Sequence, residues 1–310
     1  MHELILHHYP TSPFAEKARL LLGFKQLSWR SVTIPLMMPK PDLIALTGGY
    51  RKTPVLQVGA DIYCDTALIA RRLEAEKASP TFYPETQAFN VATFAQWADS
   101  VVFQHVVALV FAPESMAVRF AKVPPEVAKA FAADRAALFS GGAASRLPLE
   151  QARHQWPALM GRLQQQLQRG GDFLFSEASV ADIALAHPLW FLRSTPVTAP
   201  LVDDYPQVAA WLARVLAFGH GSASEMSSEQ AIAVAHAATP AALPDETFVD
   251  PNGFQPGQAV RIAAVDYGVD PVEGELLFAG REELILRRED QRGGTVHVHF
   301  PRLGFRIEAR

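Results

Sequence analysis

The sequence predicts a mixed α/β domain, then an all-helical domain and a small all-β domain, within 310 residues. Three patterns support this division. Strand-like and helix-like stretches alternate over residues 1–80, apolar residues recur at helical spacing over 85–236, and polar and apolar residues alternate over 245–310. A linker rich in Ala and Pro at 237–244 precedes the last part. Since 49% of the residues are apolar, the chain can fill several cores.

The first domain has the predicted element order β, α, β, α, β, β, α. The stretches are Leu4 to Tyr9, Pro13 to Phe24, Ser28 to Ile34, Asp42 to Leu46, Val55 to Val58, Ile62 to Cys64 and Ala67 to Glu76. Pro54 stands just before the third strand, where a proline fits only at a strand start or in a special turn, commonly with a cis peptide bond. This order, with a proline at that point, is what a thioredoxin-like fold requires.

The second domain is predicted to be a helical bundle. Helices are expected at Thr86 to Phe111, from Pro125 to Gly141, at Leu149 to Gln168, from Ser179 onward and at Gln207 to Phe218. Prolines at the start of the second helix and glycines just past its end are the expected punctuation. Ser179, with Asp182 three residues later, predicts a capping box.

Residues 245–310 contain five short strand patterns that are divided by Gly and Asp turns. The strands are expected at Ala259 to Val265, Gly274 to Phe278, Glu283 to Arg288, Thr295 to Phe300 and Phe305 to Ala309. Five strands in so short a segment predict a small SH3-like β-barrel.

Composition argues against several functions. Acidic residues number 32 and basic residues 28, with no Lys/Arg-rich tract to neutralise phosphates, so we expect no nucleic-acid partner. No run of about 18 uncharged apolar residues and no signal-peptide pattern occurs, so we expect a cytoplasmic protein without a membrane segment. Cys64 is the single cysteine, which rules out an intramolecular disulfide or a cysteine-based zinc site and favours a buried inert thiol.

Four motifs in the first two domains jointly resemble the cytosolic glutathione transferases. The loop Tyr9 to Phe14, followed by Lys17 and Arg19, resembles the active-site loop and first helix of the omega and zeta classes. Thr53, Pro54 and Val55 resemble the family's cis-proline turn, and Asp65 with Thr66 stands where the family has Glu or Gln followed by Ser. Ser179 to Asp182 resembles the capping box of the family's helical domain. The third domain is a departure from ordinary members.

The resemblance implies a glutathione site and a homodimer. The implied glutathione-binding residues are Phe14, Lys40, Lys52, Thr53, Pro54, Val55, Asp65 and Thr66. The backbone of the strand after Pro54 would pair with the cysteinyl portion, and Asp65 and Thr66 would hold the γ-glutamyl group. Lys40 would face the glycine carboxylate, although a solvated loop lysine fits the sequence equally well. Tyr50 would be an aromatic key of the dimer contact.

Ser12 is the predicted catalytic residue. The glutathione thiol has a reference pKa of about 8.5, and lowering it by about two units takes roughly 2.7 kcal/mol. A hydroxyl that donates to the thiolate, together with a helix N-terminus, can supply that amount. Ser12 before Pro13 is also an ideal N-cap whatever its function, and both roles can hold together. Tyr9 is the alternative donor, and is otherwise a substrate-pocket or core residue.

A second pocket would accept the electrophile. Its candidate residues are Tyr9, Met37, Met38, Phe103, Val107 and Phe111. The helical residues among them can equally be core. His7 with His8, and His297 with His299, alternate on strands without a further ligand nearby, so no metal is predicted.

The leading hypothesis is a glutathione transferase of the detoxification type. It would activate the thiol as a thiolate for attack on a small apolar electrophile, by conjugation, isomerisation, dehalogenation or peroxide reduction. The alternative is a non-catalytic glutathione-binding or interaction protein whose C-terminal barrel recruits a partner.

Overall fold

A computed structural model describes residues 3–144 and 146–310. Within these residues ten strands form one continuous sheet. They are β1 (Leu4–His8), β2 (Ser28–Thr33), β3 (Val55–Val58), β4 (Asp61–Cys64), β5 (Ser222–Glu225), β6 (Ala259–Ala264), β7 (Val272–Ala279), β8 (Glu283–Asp290), β9 (Gly294–Pro301) and β10 (Phe305–Ala309). Across the sheet they follow the order β10-β6-β7-β8-β9-β4-β3-β1-β2-β5.

The first domain has the thioredoxin-like arrangement that was predicted. Strand β1 runs parallel to β2 and antiparallel to β3, which pairs in turn with β4. Its helices are α1 (Pro13–Phe24), α2 (Pro41–Thr47) and α3 (Thr66–Glu76). The peptide between Thr53 and Pro54 is cis, as the resemblance implies. Pro54 can precede β3 because it lies outside the hydrogen-bonded ladder.

The helical domain follows. A 3₁₀ turn (Glu85–Gln87) leads into α4 (Ala88–Trp97), a π-helical segment (Ala98–Val102), α5 (Phe103–Val110), α6 (Pro113–Arg119), α7 (Pro125–Leu138), α8 (Leu149–Arg169), α9 (Val180–Arg193), α10 (Pro200–Asp203) and α11 (Pro206–Leu216). The predicted long helix is therefore α4, the π segment and α5 in succession. Helix α9 is buried along nearly its whole length and packs against α1, α4, α5 and α11.

Asp182 anchors the start of this central helix. Its Oδ2 accepts the backbone N–H of Ser179 at 3.1 Å, and the Ser179 side chain accepts the backbone N–H of Asp182, which completes the predicted capping box. The same Oδ2 accepts the Ser179 hydroxyl at 3.2 Å. Its Oδ1 accepts the backbone N–H of Leu174 and the Nε1–H of Trp211, each at 2.9 Å. One buried carboxylate thus joins the start of α9, the preceding loop and α11.

The chain returns to the first domain earlier than the sequence predicted. Residues 222–236 were expected to belong to the helical domain, but β5 pairs in parallel with β2. Helix α12 (Ser228–Ala237) packs on α2 and β9. The reason lies in the apolar face of α12, since Ala231, Ile232 and Ala235 are buried in the core under the sheet rather than in the bundle.

The C-terminal strands form the predicted barrel-type unit, and they also extend the first sheet. Strand β6 pairs with both β7 and β10, so the unit closes back on its first strand. Strand β9 pairs in parallel with β4, with Asp61 opposite His297 and Tyr63 opposite His299. One hydrophobic core contains buried residues of the first domain and of the barrel. They include Ile5, Val55 and Ile62 of the first domain and Leu286, Val298 and Phe300 of the barrel. The barrel is therefore continuous with the first domain.

Tyr50 is not the exposed dimer contact that the resemblance implied. Its side chain is 4% exposed. The ring centroid lies 6.1 Å from that of Phe300 and 6.3 Å from that of Phe305, both in the barrel. Because the chain's own barrel covers this aromatic side chain, it is not available to a partner subunit.

In the part of the chain that is described, no single helix has the length and hydropathy needed to cross a membrane. The segments Glu85–Val110 and Pro113–Arg119 pass that test only as a pair, bent by 71°.

Replacing Asp182 by Ala is expected to lower the free energy of unfolding by about 3 kcal/mol or more, because four donors lose their acceptor inside the bundle. Urea unfolding followed by circular dichroism measures the change. Asp172→Ala is the matched control, since this side chain is 78% exposed and should shift stability by less than about 0.5 kcal/mol. Equal stability of the two variants would contradict the anchoring role.

Candidate active site

A cavity of about 550 Å³ opens between the first domain and the helical domain, next to the start of α1. This volume is typical of small-ligand sites. Its walls include nine of the predicted site residues: Tyr9, Ser12, Phe14, Lys40, Lys52, Thr53, Phe103, Val107 and Phe111. The structure thus gathers the proposed catalytic residue and much of both predicted pockets around one space.

Ser12 lies at the N-terminus of α1 and is 3% exposed. Its extended backbone lets the side chain fold over the first turn, where Oγ accepts the backbone N–H of Ala15 at 3.2 Å. This contact uses a lone pair of the oxygen. Among the described residues none accepts the hydroxyl hydrogen, so the group is free to donate into the cavity that it lines.

Tyr9 and Thr53 line the same cavity as Ser12. The carbonyl of Tyr9 accepts the backbone N–H of Ser12 at 3.2 Å, which fixes the loop between β1 and α1. Thr53, the residue before the cis-proline, lines the cavity and accepts from Lys40 Nζ at 3.2 Å.

Val55 does not lie on a free strand edge, although the resemblance implied that the backbone of this strand would pair with glutathione. It is fully buried and paired on both sides, with His7 of β1 and Cys64 of β4. A strand in the middle of a sheet has no unpaired row of donors and acceptors to offer a peptide. Pro54 is also buried, so Pro54 and Val55 support the turn from within the core. Cys64 is the buried thiol that was expected.

Lys40 is the buried cation of the cavity. Its ammonium lies 5.5 Å from the centre of the Tyr9 ring and is hydrogen-bonded to Thr53. Burial, with repulsion from Arg135 and Arg51, lowers the pKa of Lys40 to about 8, although Asp134 opposes the shift. The solvated loop lysine that the sequence also permitted is therefore not what the structure contains. Lys40 is placed to meet an anion.

Asp65 and Thr66 do not line this cavity; they begin α3. Asp65 has a φ of 77°, a conformation that is strained for a non-glycine residue, and its carboxylate accepts the N–H of Ala67 at 2.9 Å. Burial raises the pKa of Asp65, against the opposing charge of Lys52. Thr66 Oγ1 accepts from the buried Lys17 at 3.1 Å. A cationic group bound near Asp65 would stabilise its ionised form.

A second group of charged side chains lies next to the start of α3. Lys17 pairs with Asp99 as well as with Thr66. Asp99 also accepts from Nε2 of His187 at 2.9 Å. Phe14 covers this layer, with its ring 4.7 Å from His187 and 4.6 Å from Phe103. Phe14 therefore separates the buried ions from the cavity.

Met37 and Met38 lie outside the cavity. Met38 is 37% exposed, and its backbone N–H donates to Asp134 at 3.2 Å. The loop of these residues runs over the surface between prolines, and Leu36 lines the cavity in their place.

The barrel contributes a wall that the sequence did not predict. The loop between β6 and β7 places Tyr267 in the lining, where its ring stacks on Phe139 at 4.8 Å. Asp266 beside it accepts from Lys52 Nζ at 2.6 Å, and the same ammonium lies 4.3 Å from the Tyr267 ring. Lys52 is thus already paired within the protein, which leaves Lys40 as the better partner for a ligand carboxylate.

Backbone hydrogen bonds hold this loop to the helical domain. The N–H of Ala143 donates to Val265 at 2.8 Å, and the N–H of Gly268 donates to Leu138 at 2.7 Å. At Gly142 an added Cβ would lie 1.7 Å from the carbonyl oxygen of Asp266, so only glycine permits the approach. The loop therefore spans the cavity from one domain to the other.

Comparison with known proteins agrees with this geometry. The models for the glutathione S-transferase N-terminal and C-terminal domains match residues 6–81 and 148–214. A GST-like protein from Pseudomonas syringae is 64% identical, with both chains covered in full and a TM-score of 0.85. The chain belongs to the glutathione S-transferase family.

Other members share the fold at lower identity. A glutathione S-transferase from Methylobacillus flagellatus KT, solved with glutathione bound, is 20% identical over 72% of this chain and 100% of its own, with a TM-score of 0.50. One from Rhodospirillum rubrum F11 is 20% identical over 69% of this chain and 87% of its own, with a TM-score of 0.52. A search of curated proteins gave no match. The barrel of this transferase is thus shared with the Pseudomonas protein, which the chain matches along its full length.

This glutathione S-transferase also has a histidine and carboxylate cluster away from the cavity. The expectation that His297 and His299 have no further ligand nearby is wrong, because the Asp61 carboxylate of β4 lies within 4.0 Å of both imidazoles. Donor atoms of the three lie within 4.8 Å of one another, and one carboxylate with two imidazoles is a donor set that Zn²⁺ can use. They also form an ion-pair network, with Asp61 Oδ1 at 3.0 Å from His299 Nε2 and Glu283 Oε1 at 2.6 Å from His299 Nδ1.

The transferase is expected to bind S-methylglutathione, whose sulfur does not titrate, about ten-fold more weakly at pH 9 than at pH 7. The reason is that Lys40, with a pKa of about 8, is charged below that pH and mostly neutral above it. Lys40→Arg keeps its charge and should show a flatter profile. Titration calorimetry measures the dissociation constants. The exposed Lys122→Arg is the control and should follow the wild type. A wild-type profile in Lys40→Arg would contradict the assignment.

Proposed function

We propose that this family member is a serine-type glutathione transferase in which the Ser12 hydroxyl stabilises the glutathione thiolate. The observation that carries the proposal is the hydrogen bonding of Ser12. Its oxygen accepts from Ala15 while its hydrogen is left for a ligand in the cavity. The hydroxyl also sits at the positive end of α1, a twelve-residue helix, which favours an anion at the same point.

The remaining polar residues would bind the other parts of glutathione. Lys40 would bind the glycine carboxylate, and Thr53 would pair with the cysteinyl backbone. Asp65 and Thr66 would hold the γ-glutamyl group, whose ammonium would restore the charge of Asp65 that burial disfavours. The ligand would then lie with its sulfur next to Ser12. Tyr9 would line the pocket rather than activate the thiol.

The thiolate would attack a small apolar electrophile in the rest of the cavity. Phe103, Val107 and Phe111 provide an apolar wall on one side, and Tyr267 of the barrel provides another. Conjugation, isomerisation, dehalogenation and peroxide reduction all begin with this thiolate. The rigid cavity shape would position the electrophile within reach of the sulfur, which lowers the entropy cost of the reaction.

We also propose a cytoplasmic location and a homodimer. A transferase needs glutathione with its thiol reduced, and a reducing compartment provides it. For the dimer, the contact must use surfaces other than Tyr50 and the edge of β4, since the barrel covers both. Light scattering after size exclusion measures the oligomeric state.

Ser12→Ala is expected to lower kcat/KM for chlorodinitrobenzene by about 10-fold to 100-fold, because the thiolate loses a charge-assisted hydrogen bond. The apparent pKa in the pH profile of kcat/KM should rise by about one to two units. Tyr9→Phe should stay within about three-fold of the wild type. A pH profile that Ser12→Ala leaves unchanged would rule out thiolate stabilisation by Ser12.

The chain offers a control for the loss of the helix cap. Ser227 caps α12 in the same way, accepting the backbone N–H of Gln230 at 3.1 Å, and lies outside the cavity lining. Ser227→Ala should have a similar cost in stability, about 1 kcal/mol, without a change in the pH profile. The comparison separates the capping role of Ser12 from its proposed chemical role.

A further inference from the structure

Five basic residues line the cavity, and three of them have acidic partners. Arg51 and Arg135 both pair with Asp134, which lies behind the lining. Lys52 pairs with Asp266. The other two are Lys40 and Arg119, and among the described residues no carboxylate oxygen lies within 4.0 Å of either side-chain cation. The described lining contains no Asp or Glu. The cavity therefore has two cationic groups without a partner of opposite charge.

Arg119 is the last residue of α6 and lies against the end of α9. Its Nη2 donates to the Ser194 hydroxyl and, at 3.5 Å, to the carbonyl of Phe191. Its guanidinium carbon lies 4.7 Å from the centre of the Phe191 ring. The Nε–H is buried and has no partner. Capping of α9 accounts for Nη2 alone, and among the described residues it leaves the positive charge of this cavity-lining guanidinium without a counter-charge.

A partly buried guanidinium without a counter-charge is unfavourable until an anion in the cavity pairs with it. A carboxylate is the group whose two oxygens match adjacent guanidinium donors. Since Lys40 is assigned to glutathione, Arg119 is left for the second substrate. The rest of the lining indicates what else that substrate carries, since Arg119 lies against the Phe191 ring and the cavity has further aromatic walls: Phe111, Phe120, Phe131 and Phe139.

We infer that Arg119 binds an anionic group of the electrophile, and that the substrate class is an aromatic electrophile carrying a carboxylate or a similar anion. This inference rests on the proposed function, because it concerns the partner of the thiolate in the same cavity. In the reaction tested below, the sulfur forms a bond to the ring carbon that bears chlorine. The carbon–chlorine bond breaks, and chloride leaves with the electron pair.

The test compares two chloroarenes of nearly equal size, 4-chloro-3,5-dinitrobenzoate and 4-chloro-3,5-dinitrobenzamide, each with glutathione. Arg119→Met should lower kcat/KM for the benzoate by about 30-fold, mainly through KM, and leave the benzamide within about three-fold. Arg119→Lys should recover part of the loss. Arg153→Met is the matched control, because this exposed arginine pairs with Glu150 outside the cavity, and it should behave as the wild type for both compounds.

Two results would overturn the inference: an equal loss for both compounds in Arg119→Met, which indicates only the cap of α9, or a wild type that does not prefer the benzoate. Conjugation of neither compound would instead be a failure of the proposed function. Equilibrium dialysis of the benzoate without glutathione then tests separately whether Arg119 binds an anion. Binding to the wild type that is lost in Arg119→Met supports an anion subsite at Arg119, and equal binding or none overturns it.

Discussion

The pairing of β4 with β9 is the contact on which the rest of the molecule depends. Strand β4 would otherwise be the open edge of the first sheet, and the barrel would have to fill a core from a short segment alone. Because β4 and β9 pair, the first domain and the barrel share one sheet and one core. Asp61 reinforces the junction, because the hydrogen bonds from His299 and from Ala241 lower its pKa although burial opposes this.

The position of the barrel in turn shapes the cavity. Once β9 is fixed against β4, the loop between β6 and β7 reaches over Lys52 to the glycine at 142. This arrangement neutralises Lys52 and supplies Tyr267 as an aromatic wall. Three of the five cations in the lining are paired with three nearby carboxylates, those of Asp134, Asp266 and Asp270, so the field in the cavity comes chiefly from Lys40 and Arg119. Charge is thus localised at two points of a largely apolar space.

Local signals were enough to predict most of the elements, although not β5 or α12, and distance along the chain explains the contacts that were missed. The strand after Pro54, the capping box at Ser179 and the five barrel strands are encoded by neighbouring residues, so pattern and turn chemistry predict them. The site around Ser12 followed from order and spacing of motifs. The sequence could not predict that Tyr267 lines the cavity or that Asp61 is the partner of His299. Both facts depend on the pairing of β4 with β9, which are far apart in the chain. Val55 and the methionines were misplaced because sequence does not show which strand edges and loops remain free.

The long separation between β4 and β9 has a consequence for synthesis. The residues joined across this junction, such as Asp61 and His299, are 238 positions apart, so the ribosome completes both transferase domains before the partner strand emerges. Until then the growing chain carries an unprotected strand edge, which is the feature that draws other chains into aggregates. The same delay leaves the cavity without its Tyr267 wall. The nascent protein therefore exposes this strand edge from the synthesis of β4 until that of β9.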